Sequence, residues 1–470
     1  MTSIRVFQHY THHLYAAAAL FEASLAFAAM MGALQLSAAG HLPGPAAGTP
    51  LMMIWQAGVV ALAFVVASDA MGQYSPLRAE EGFASHAKHG AGAFVLALFG
   101  LLLLGLLLPS LRMNPLLPGG ALLLTTGLIV GLRTPFFLGM AQRGALRQKV
   151  MIVGAGRNAQ HALEVLRQRP ERVDFDVVGC VPLPGEAVRI SGEKLLPGNL
   201  PLTTLAKRLN VAQMIVVPDH ETEFPLNDLI GCRFDGRQVV SGVQFFEREA
   251  RILDVDLLPP DALAFGDGFY QPPLSRALKR AFDIAASGAV LALAWPLMLV
   301  AVVAIKLEEG LRAPVLYKQT RVGQNGKPFS VLKFRSMRVD AEADGKARWA
   351  RKGDNRITRV GRVMRLSRVD ELPQLWNIFS GQMSLVGPRP ERPEFTEALA
   401  KQIPYYEQRH RVKPGLSGWA QLCHPYGDTA EHARQKLQFD LYYVKNRSLF
   451  LDALILLRTL EVVLFRRGAH

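Results

Sequence analysis

The chain has 470 residues, with 53 Lys and Arg against 39 Asp and Glu for a formal charge of +14, and half of its residues are hydrophobic. That length exceeds one compact domain. A mean hydropathy of +0.16 is too high for an ordinary soluble protein with this much charge, so composition points to a membrane protein with a basic aqueous portion. Nucleic acid, anionic lipid and phosphate-bearing substrates all fit the surplus of cations, and position along the chain has to separate them. Cys180, Cys232 and Cys423 show neither metal-ligand spacing nor a disulfide framework, which predicts free thiols in a reducing cytoplasm.

Four apolar stretches at about 14–38, 51–71, 91–109 and 116–140 each approach the roughly 20 residues a helix needs to cross the hydrocarbon core. No small-residue cleavage site follows the first, so it is expected to stay as an anchor. Arg5 precedes the first stretch, HLPGPAAGTP after it has no Lys or Arg, Arg78 and Lys88 lie between the second and third, and Arg143, Arg147 and Lys149 follow the fourth. The positive-inside rule then puts both ends of the bundle in the cytoplasm. Arg133, inside the fourth stretch, is read as marking the end of a helix.

At QKVMIVGAGRNAQHALEVLRQ the pattern changes to a β-branched run, a glycine turn and a periodic helix. Gly154, Gly156 and Ala159 form G-x-G-x-x-A, whose glycines would let a phosphate approach backbone N–H groups at a helix N-terminus. FDVVGCV and AQMIVVP read as buried strands and TTLAKRLN as a helix between them, which is Rossmann-like α/β patterning. No acidic residue closes a second strand to hold a ribose, so a dinucleotide site and a structural or regulatory module both remain open. LLPPDALAFGDGFYQPPLS then has the Pro, Gly and Asp content of a linker.

Residues 275–310 supply a basic start, about 23 apolar residues and a central Pro296. The proline predicts a kink, and basic residues on both flanks (Arg276, Lys279 and Arg280; Lys306, Arg312, Lys318 and Arg321) place both ends on one side. A re-entrant helix over about 281–305 meets both conditions better than a fifth span. Next, KARWARKGDNRITRVGRVMRLSR at 346–368 concentrates cations, with Ile357, Val360, Met364 and Val369 near helical spacing. Apart from Trp349 it lacks interleaved aromatic platforms, which argues against single-stranded nucleic acid and for phosphate chemistry. Asp370 and Glu371 follow at once, where a helix is expected to begin with Ser367 as its cap and Pro373 in its first turn. KPFSVLKFRSM adds Lys333 and Arg335, and FSGQMSLVGPRPERPEF adds Gly387 and Arg389 in a loop suited to close backbone approach. Two acids among these bases suit a divalent cation shared with a substrate phosphate.

KFRSM, RITRVGRVMRLSRVDELPQLWNIFSGQMSLVGPRPERPEF and YYEQRHRVKPGLSGWAQL together resemble the bacterial polyprenyl-phosphate hexose-1-phosphate transferases, over about 275–465. PRPERPEF and PYYEQRHRVKPG are similar to the exopolysaccharide-initiating branch found in bacteria with PEP-CTERM sorting systems. The resemblance implies transfer of a hexose 1-phosphate from a UDP-sugar, UDP-glucose or UDP-galactose foremost, to undecaprenyl phosphate with release of UMP. It implies Asp370 as nucleophile of a ping-pong reaction through an aspartyl-phosphosugar, Glu371 as its partner at a Mg²⁺ site, and Lys333, Arg335, Arg365 and Arg389 as phosphate contacts. Asp283 and Pro296 match the family's re-entrant helix, although Trp295 stands where a small polar residue is usual. The implied architecture is a multidomain membrane protein: a four-helix transmembrane bundle over 1–145, a Rossmann-like α/β domain over 146–258, a linker over 259–274 and a mainly α monotopic catalytic domain over 275–470. It would sit in the bacterial inner membrane with the catalytic domain on the cytoplasmic face, bind membrane lipid and no nucleic acid, and leave oligomeric state open, a homodimer included. SLFLDALILLRTLEVVLF, with Asp452, Arg458 and Glu461, reads as an amphipathic helix lying along the inner leaflet. Competing readings are a nucleotide-dependent sugar-modifying oxidoreductase, for which 146–258 lacks Tyr-x-x-x-Lys, and a non-catalytic membrane scaffold.

Overall fold

A computed structural model describes residues 3–6, 9–42, 49–71, 73–74, 83–107, 113–142, 148–168, 175–190, 195–219, 225–338, 356–424 and 429–465. Arg78, Arg143, Arg147, the start of the basic run through Asn355 and the side chains of Arg133 and Glu461 lie outside that description. The chain divides into two compact units, the first holding Met1–Val6 and Tyr10–Leu258 and the second Pro259–His470.

In the first unit a short strand pair, β1 (Ser3–Val6) and β2 (His9–His12), precedes α1 (His13–Ala38), α2 (Pro50–Ala70), α3 (Phe83–Leu107) and α4 (Leu116–Gln142). Pro50 at the first position of α2 and Thr49 Oγ1, which accepts the Met52 N–H at 3.4 Å, fix where that helix starts. Each helix packs on its neighbours in a ring, α1 on α2, α2 on α3, α3 on α4 and α4 on α1. Ala26, Ala57, Ala61, Ala93 and Ala97 are buried, the small residues that let apolar helices approach closely. Leu62, Phe99 and Leu123 instead face outward, as expected where lipid is the solvent. Ala17–Ala38, Pro50–Ala70 and Phe83–Leu106 are long and apolar enough to cross a membrane, whereas the apolar part of α4 over Leu116–Leu132 is shorter. A polar contact that the sequence reading missed lies among these helices: Tyr74 donates to the buried Glu22 carboxylate at 2.6 Å.

The rest of the first unit is an α/β layer: β3 (Gln148–Val153), α5 (Arg157–Gln168), β4 (Phe175–Val181), α6 (Leu202–Arg208), β5 (Gln213–Val216), α7 (Leu226–Phe234), β6 (Gln238–Ser241) and α8 (Gly242–Phe245). The strands are all parallel in the order β4-β3-β5-β6. FDVVGCV forms β4, QMIV forms β5, and Met151, Val153, Leu205, Met214 and Val216 pack in one core cluster. Apolar runs without polar alternation arise because helices cover such a sheet.

The second unit opens with α9 (Pro260–Ala264) and α10 (Pro273–Glu309). The segment read as a linker is docked on this unit, with Gln271 donating to the Arg447 carbonyl at 2.8 Å. Pro296 lies inside α10, which runs as one helix on either side of it, and no residue from Gly288 to Val300 is buried. Both flanks are held. Asp283 accepts from Ser384 Oγ at 3.0 Å and from the Leu385 N–H at 3.1 Å, and Arg280 donates to the Ile378 and Phe379 carbonyls at 2.8 Å. At the other end Ala301 and Ile305 join Phe334, Met364 and Val369 in a core cluster.

β7 (Leu316–Val322) and β8 (Pro328–Phe334) form an antiparallel hairpin, reversed where Asn325 and Gly326 both take left-handed backbone. α11 (Arg359–Leu366) and α12 (Gln374–Phe379) follow, then β9 (Ser384–Val386), α13 (Pro393–Ala400), β10 (Gly415–Ser417), which pairs parallel with β9, α14 (Trp419–Cys423), α15 (Ala430–Asn446) and α16 (Leu449–Phe465). The charges of α16 do not all mark a wet face. Asp452 is buried, accepting from Lys279 Nζ at 2.6 Å and Tyr443 Oη at 2.8 Å, and the Arg458 guanidinium lies 6.0 Å from the Trp419 ring centre. At least one face of this helix is therefore a protein interface, because an apolar surround makes the acid pair with a cation and a hydroxyl.

Gly361 is where α11 meets the end of the hairpin: a Cβ there would stand 2.1 Å from the Ser336 carbonyl oxygen. Gly361→Ala is expected to destabilise the second unit by about 1–3 kcal/mol through overpacking, more than alanine's helix propensity returns. Thermal unfolding of the detergent-solubilised protein checks this, and an unchanged or raised midpoint would refute the tight contact.

Candidate active site

Three segments separated along the chain converge on one turn. Lys333 lies near the end of β8, Arg365 in the last turn of α11, and Arg389 in the loop after β9. α11 starts where Thr358 Oγ1 accepts the Gly361 N–H at 2.9 Å, and Glu308 at the end of α10 accepts the Arg359 and Val360 N–H groups at 2.7 and 2.9 Å. These acceptors satisfy the open amides of a helix N-terminus and orient the helix.

The helix expected to begin at Ser367 instead ends there. Ser367 Oγ donates back to the Val363 carbonyl at 2.8 Å, closing α11. A serine hydroxyl serves either end of a helix, and here the preceding turn takes it. Arg368 then adopts left-handed backbone at φ +59°, a conformation costing about 1 kcal/mol or more in a non-glycine residue. That reversal puts Asp370 and Glu371 on a short 3₁₀ turn, Val369–Glu371, between α11 and α12, with Pro373 just ahead of α12.

Glu371 is the centre of charge. Its Oε1 lies 3.1 Å from Lys333 Nζ, 3.3 Å from Arg389 Nη2 and 4.0 Å from Arg368 Nη1. Burial alone would raise its pKa, but Lys333, Arg389 and Arg368 hold it well below the usual carboxylate range. Asp370 behaves oppositely. It is 7% exposed and, among the described residues, its Oδ1 has no hydrogen-bond partner. Burial first and the Glu371 charge second push its carboxyl above the ordinary value, against Lys333, Arg365 and Arg368. Lys333 is drawn below its ordinary value by burial, despite the pull of Glu371. Two adjacent acids thus have divergent environments: one is a fixed anion, the other a buried carboxylate with a free oxygen.

Of the other expected residues, Arg365 donates from Nε to Ser336 Oγ at 3.0 Å and contributes its charge to Asp370. Arg335 goes elsewhere. β8 has ended, and its guanidinium donates to the Pro314 carbonyl at 2.9 Å and lies 5.9 Å from the Tyr317 ring centre. Asp283 and Pro296 belong to α10, where Asp283 supports the strand that leads into the Arg389 loop.

Residue type alone did not reveal the supporting shell. Asn377 donates to the Ser330 carbonyl at 2.8 Å and accepts the Leu332 N–H at 3.0 Å, tying α12 to the strand that carries Lys333. Arg409 is fully buried, donates to Asp440 at 2.7 and 3.0 Å, and donates to the Arg389 carbonyl at 3.0 Å. Two residues on, Glu391 is held by Lys436 and Arg321; burial pushes its carboxyl up, but Lys436, Arg409 and Arg321 bring it down to about 2. Gly387 completes the loop, since a Cβ there would lie 2.4 Å from the Lys413 carbonyl oxygen. Asn377 and Arg409 both fall inside the motifs quoted above, WNIF and YYEQRHRVKPG. Their roles depend on contacts 20 to 47 residues away.

The turn thus presents one unpartnered, buried carboxylate oxygen beside a cationic cluster. It suits attack on an electrophilic phosphorus or coordination of a hard cation. Among the described residues, the group of three close potential metal ligands is elsewhere: His161, Asp254 and Asp256 in the first unit, where His161 Nε2 pairs with the Asp254 carboxylate at 3.1 Å.

Residues 274–466 match the family profile described as bacterial sugar transferase. The chain is 46% identical over 198 residues to a UDP-N-acetylgalactosamine-undecaprenyl-phosphate N-acetylgalactosaminephosphotransferase of Aeromonas hydrophila, covering 42% of this chain and 46% of that protein. It is 42% identical over 194 residues to a UDP-glucose:undecaprenyl-phosphate glucose-1-phosphate transferase of Caulobacter vibrioides, covering 41% and 72%. A UDP-galactose-lipid carrier transferase of Erwinia amylovora is 32% identical over 355 residues, covering 69% of this chain and 70% of its own length. The match therefore spans just under half of the Aeromonas protein and more than two thirds of the other two.

Arg409→Ala is expected to cost about 3–5 kcal/mol of stability, because it leaves Asp440 buried without its cation. The double replacement Arg409→Leu with Asp440→Leu should lose less than the single one. Denaturant unfolding of the parent and the two variants decides, and a double replacement that loses more than Arg409→Ala would show that the two residues act independently.

Proposed function

The chain belongs to the bacterial sugar transferase family, and on that premise we propose that it transfers a hexose 1-phosphate from a UDP-sugar to undecaprenyl phosphate with release of UMP. The observation that carries this reading is the buried Asp370 carboxylate with its free Oδ1, beside a Glu371 already neutralised by Lys333 and Arg389. The names of the relatives include glucose, galactose and N-acetylgalactosamine, and UDP-glucose and UDP-galactose remain the donors proposed. The product would begin an exopolysaccharide chain.

In the proposed mechanism the UDP-sugar diphosphate lies against Arg389 and Lys333, whose charges offset repulsion between anions. An Asp370 oxygen attacks the sugar-proximal phosphorus. The bond from that phosphorus to the bridging oxygen breaks, and UMP leaves with that oxygen. A phosphate oxygen of the lipid then attacks the same phosphorus and displaces the Asp370 carboxylate, giving the lipid diphosphosugar. No proton moves in either displacement if both nucleophiles are ionised. Glu371 keeps Lys333 and Arg389 in place, and Arg365 favours the ionised form of Asp370. Asp370, through its unpartnered oxygen, would hold Mg²⁺, with Glu371 close by although its Oε1 is engaged by cations. When bound it would supply charge neutralisation at the transferring phosphoryl group.

Features of the second unit support a reading of the membrane arrangement. Both flanks of α10 are fastened to one compact body while Leu293, Trp295, Leu297, Leu299 and Val300 between them are exposed. We read this as a re-entrant helix that enters and leaves by the same leaflet, with Pro296 at the bend. Val363 and Leu366 of α11 and Trp376 and Phe379 of α12, the helices on either side of Asp370, are also exposed apolar side chains. A site framed by them would lie at the cytoplasmic surface of the inner membrane, where a soluble donor meets an embedded acceptor.

Asp370→Asn should abolish UMP release from UDP-sugar and undecaprenyl phosphate; turnover near that of the parent protein would sink the nucleophile assignment. The attacking carboxylate must be ionised and its pKa is raised, so activity is present above an acidic limb in kcat/KM and lost as pH falls through it. That limb should lie above the ordinary aspartate value of about 3.9. Glu371→Gln removes one charge that raises Asp370 while its amide oxygen can still accept from Lys333 and Arg389, so the limb of the residual activity should move to lower pH. A limb that stays or rises contradicts the coupling.

A further inference from the structure

The glycine loop between β3 and α5 already holds an anion. Asp219, at the end of the segment after β5, accepts the Arg157 N–H on Oδ2 at 2.9 Å and the Asn158 N–H on Oδ1 at 2.8 Å. A Cβ on Gly156 would stand 2.2 Å from Asp219 Oδ2, so this glycine admits the carboxylate against its own backbone. Asn158 Nδ2 also donates to the Pro218 carbonyl at 2.7 Å, fixing the residue before. From another segment Glu186 Oε2 accepts the Ala155 N–H at 2.8 Å and the Leu183 N–H at 3.3 Å, while Glu186 Oε1 accepts the Asp219 N–H at 2.9 Å.

Ala155, Arg157 and Asn158 are the amides that a G-x-G-x-x-A loop would turn toward a phosphate at the start of a helix. All three donate to carboxylates of the same chain. We propose that Asp219, braced by Glu186, is a built-in occupant of this phosphate position, so that the first unit is closed to dinucleotides and the loop serves to fasten β5 to α5. A tethered carboxylate has a large effective concentration over a free ligand. Its charge-assisted hydrogen bonds would have to be broken, and an incoming phosphate would meet two negative groups.

The test uses the full chain in detergent and reads no transferase activity. Equilibrium binding of NAD⁺ and of inorganic phosphate is measured for the parent protein, for Asp219→Ser, and for Asp219→Ser with Glu186→Gln, with hydrogen exchange of the 155–158 amides followed in parallel. The parent should show no saturable NAD⁺ binding and slow exchange at Ala155, Arg157 and Asn158 without ligand. The variants should bind phosphate about tenfold or more tightly than the parent, the scale of one charge-assisted hydrogen bond, and that phosphate should restore protection at the same amides. Saturable NAD⁺ binding to the parent that alters exchange in this loop overturns the proposal, as does a folded double variant with no gain in phosphate binding. Should the variants fail to fold, NAD⁺ binding and amide exchange in the parent protein still decide it.

Discussion

The Glu371 carboxylate is the point on which the second unit depends. A buried anion has to be paired or it destabilises the fold by several kcal/mol, and its partners come from β8 and from the loop after β9. Pairing one acid with Lys333 and Arg389, with Arg368 near by, leaves positive charge over. That surplus is what an anionic ligand would meet, and it lets a second carboxylate, Asp370, stand alongside with an oxygen unspent. The roles of the two acids diverge because their neighbours differ: three cations surround Glu371 closely, whereas desolvation and Glu371 itself dominate at Asp370.

Positioning is done by groups that carry no chemistry of their own. Arg409 and Asp440 neutralise each other inside the fold and use a spare N–H to hold the Arg389 carbonyl, while Asn377 fastens the strand that bears Lys333. Asp283 extends this scaffold to α10, joining the apolar helix to the strand that leads into the Arg389 loop. Displacement of α10 would therefore be felt at Arg389 through one short chain of contacts, a physical coupling between the apolar segment and the charged site.

The first unit obeys the same accounting of polar groups in a different way. A glycine turn exposes backbone amides, and each must find an acceptor. In a nucleotide-binding loop the acceptor is the ligand; here Asp219 and Glu186 supply it. A motif that reads as a binding loop can thus be completed from within, by residues 62 and 31 positions away.

Much was legible because it is local. Apolar length gave α1 to α3, unbroken β-branched runs gave β4 and β5, and the density of Lys, Arg, Asp and Glu around LSRVDELPQLWNIF marked the segment that carries Asp370 and Glu371. Other features misled where one residue type serves two ends. Ser367 closes a helix instead of opening one, and Asp452 faces Lys279 inside the protein. The sequence by itself determined which segments are apolar enough for lipid, which form strands, and which acids and bases are available. Only the tertiary structure decided which cation reaches which carboxylate, because burial makes each charge and each amide choose one partner, and those partners lie tens of residues apart.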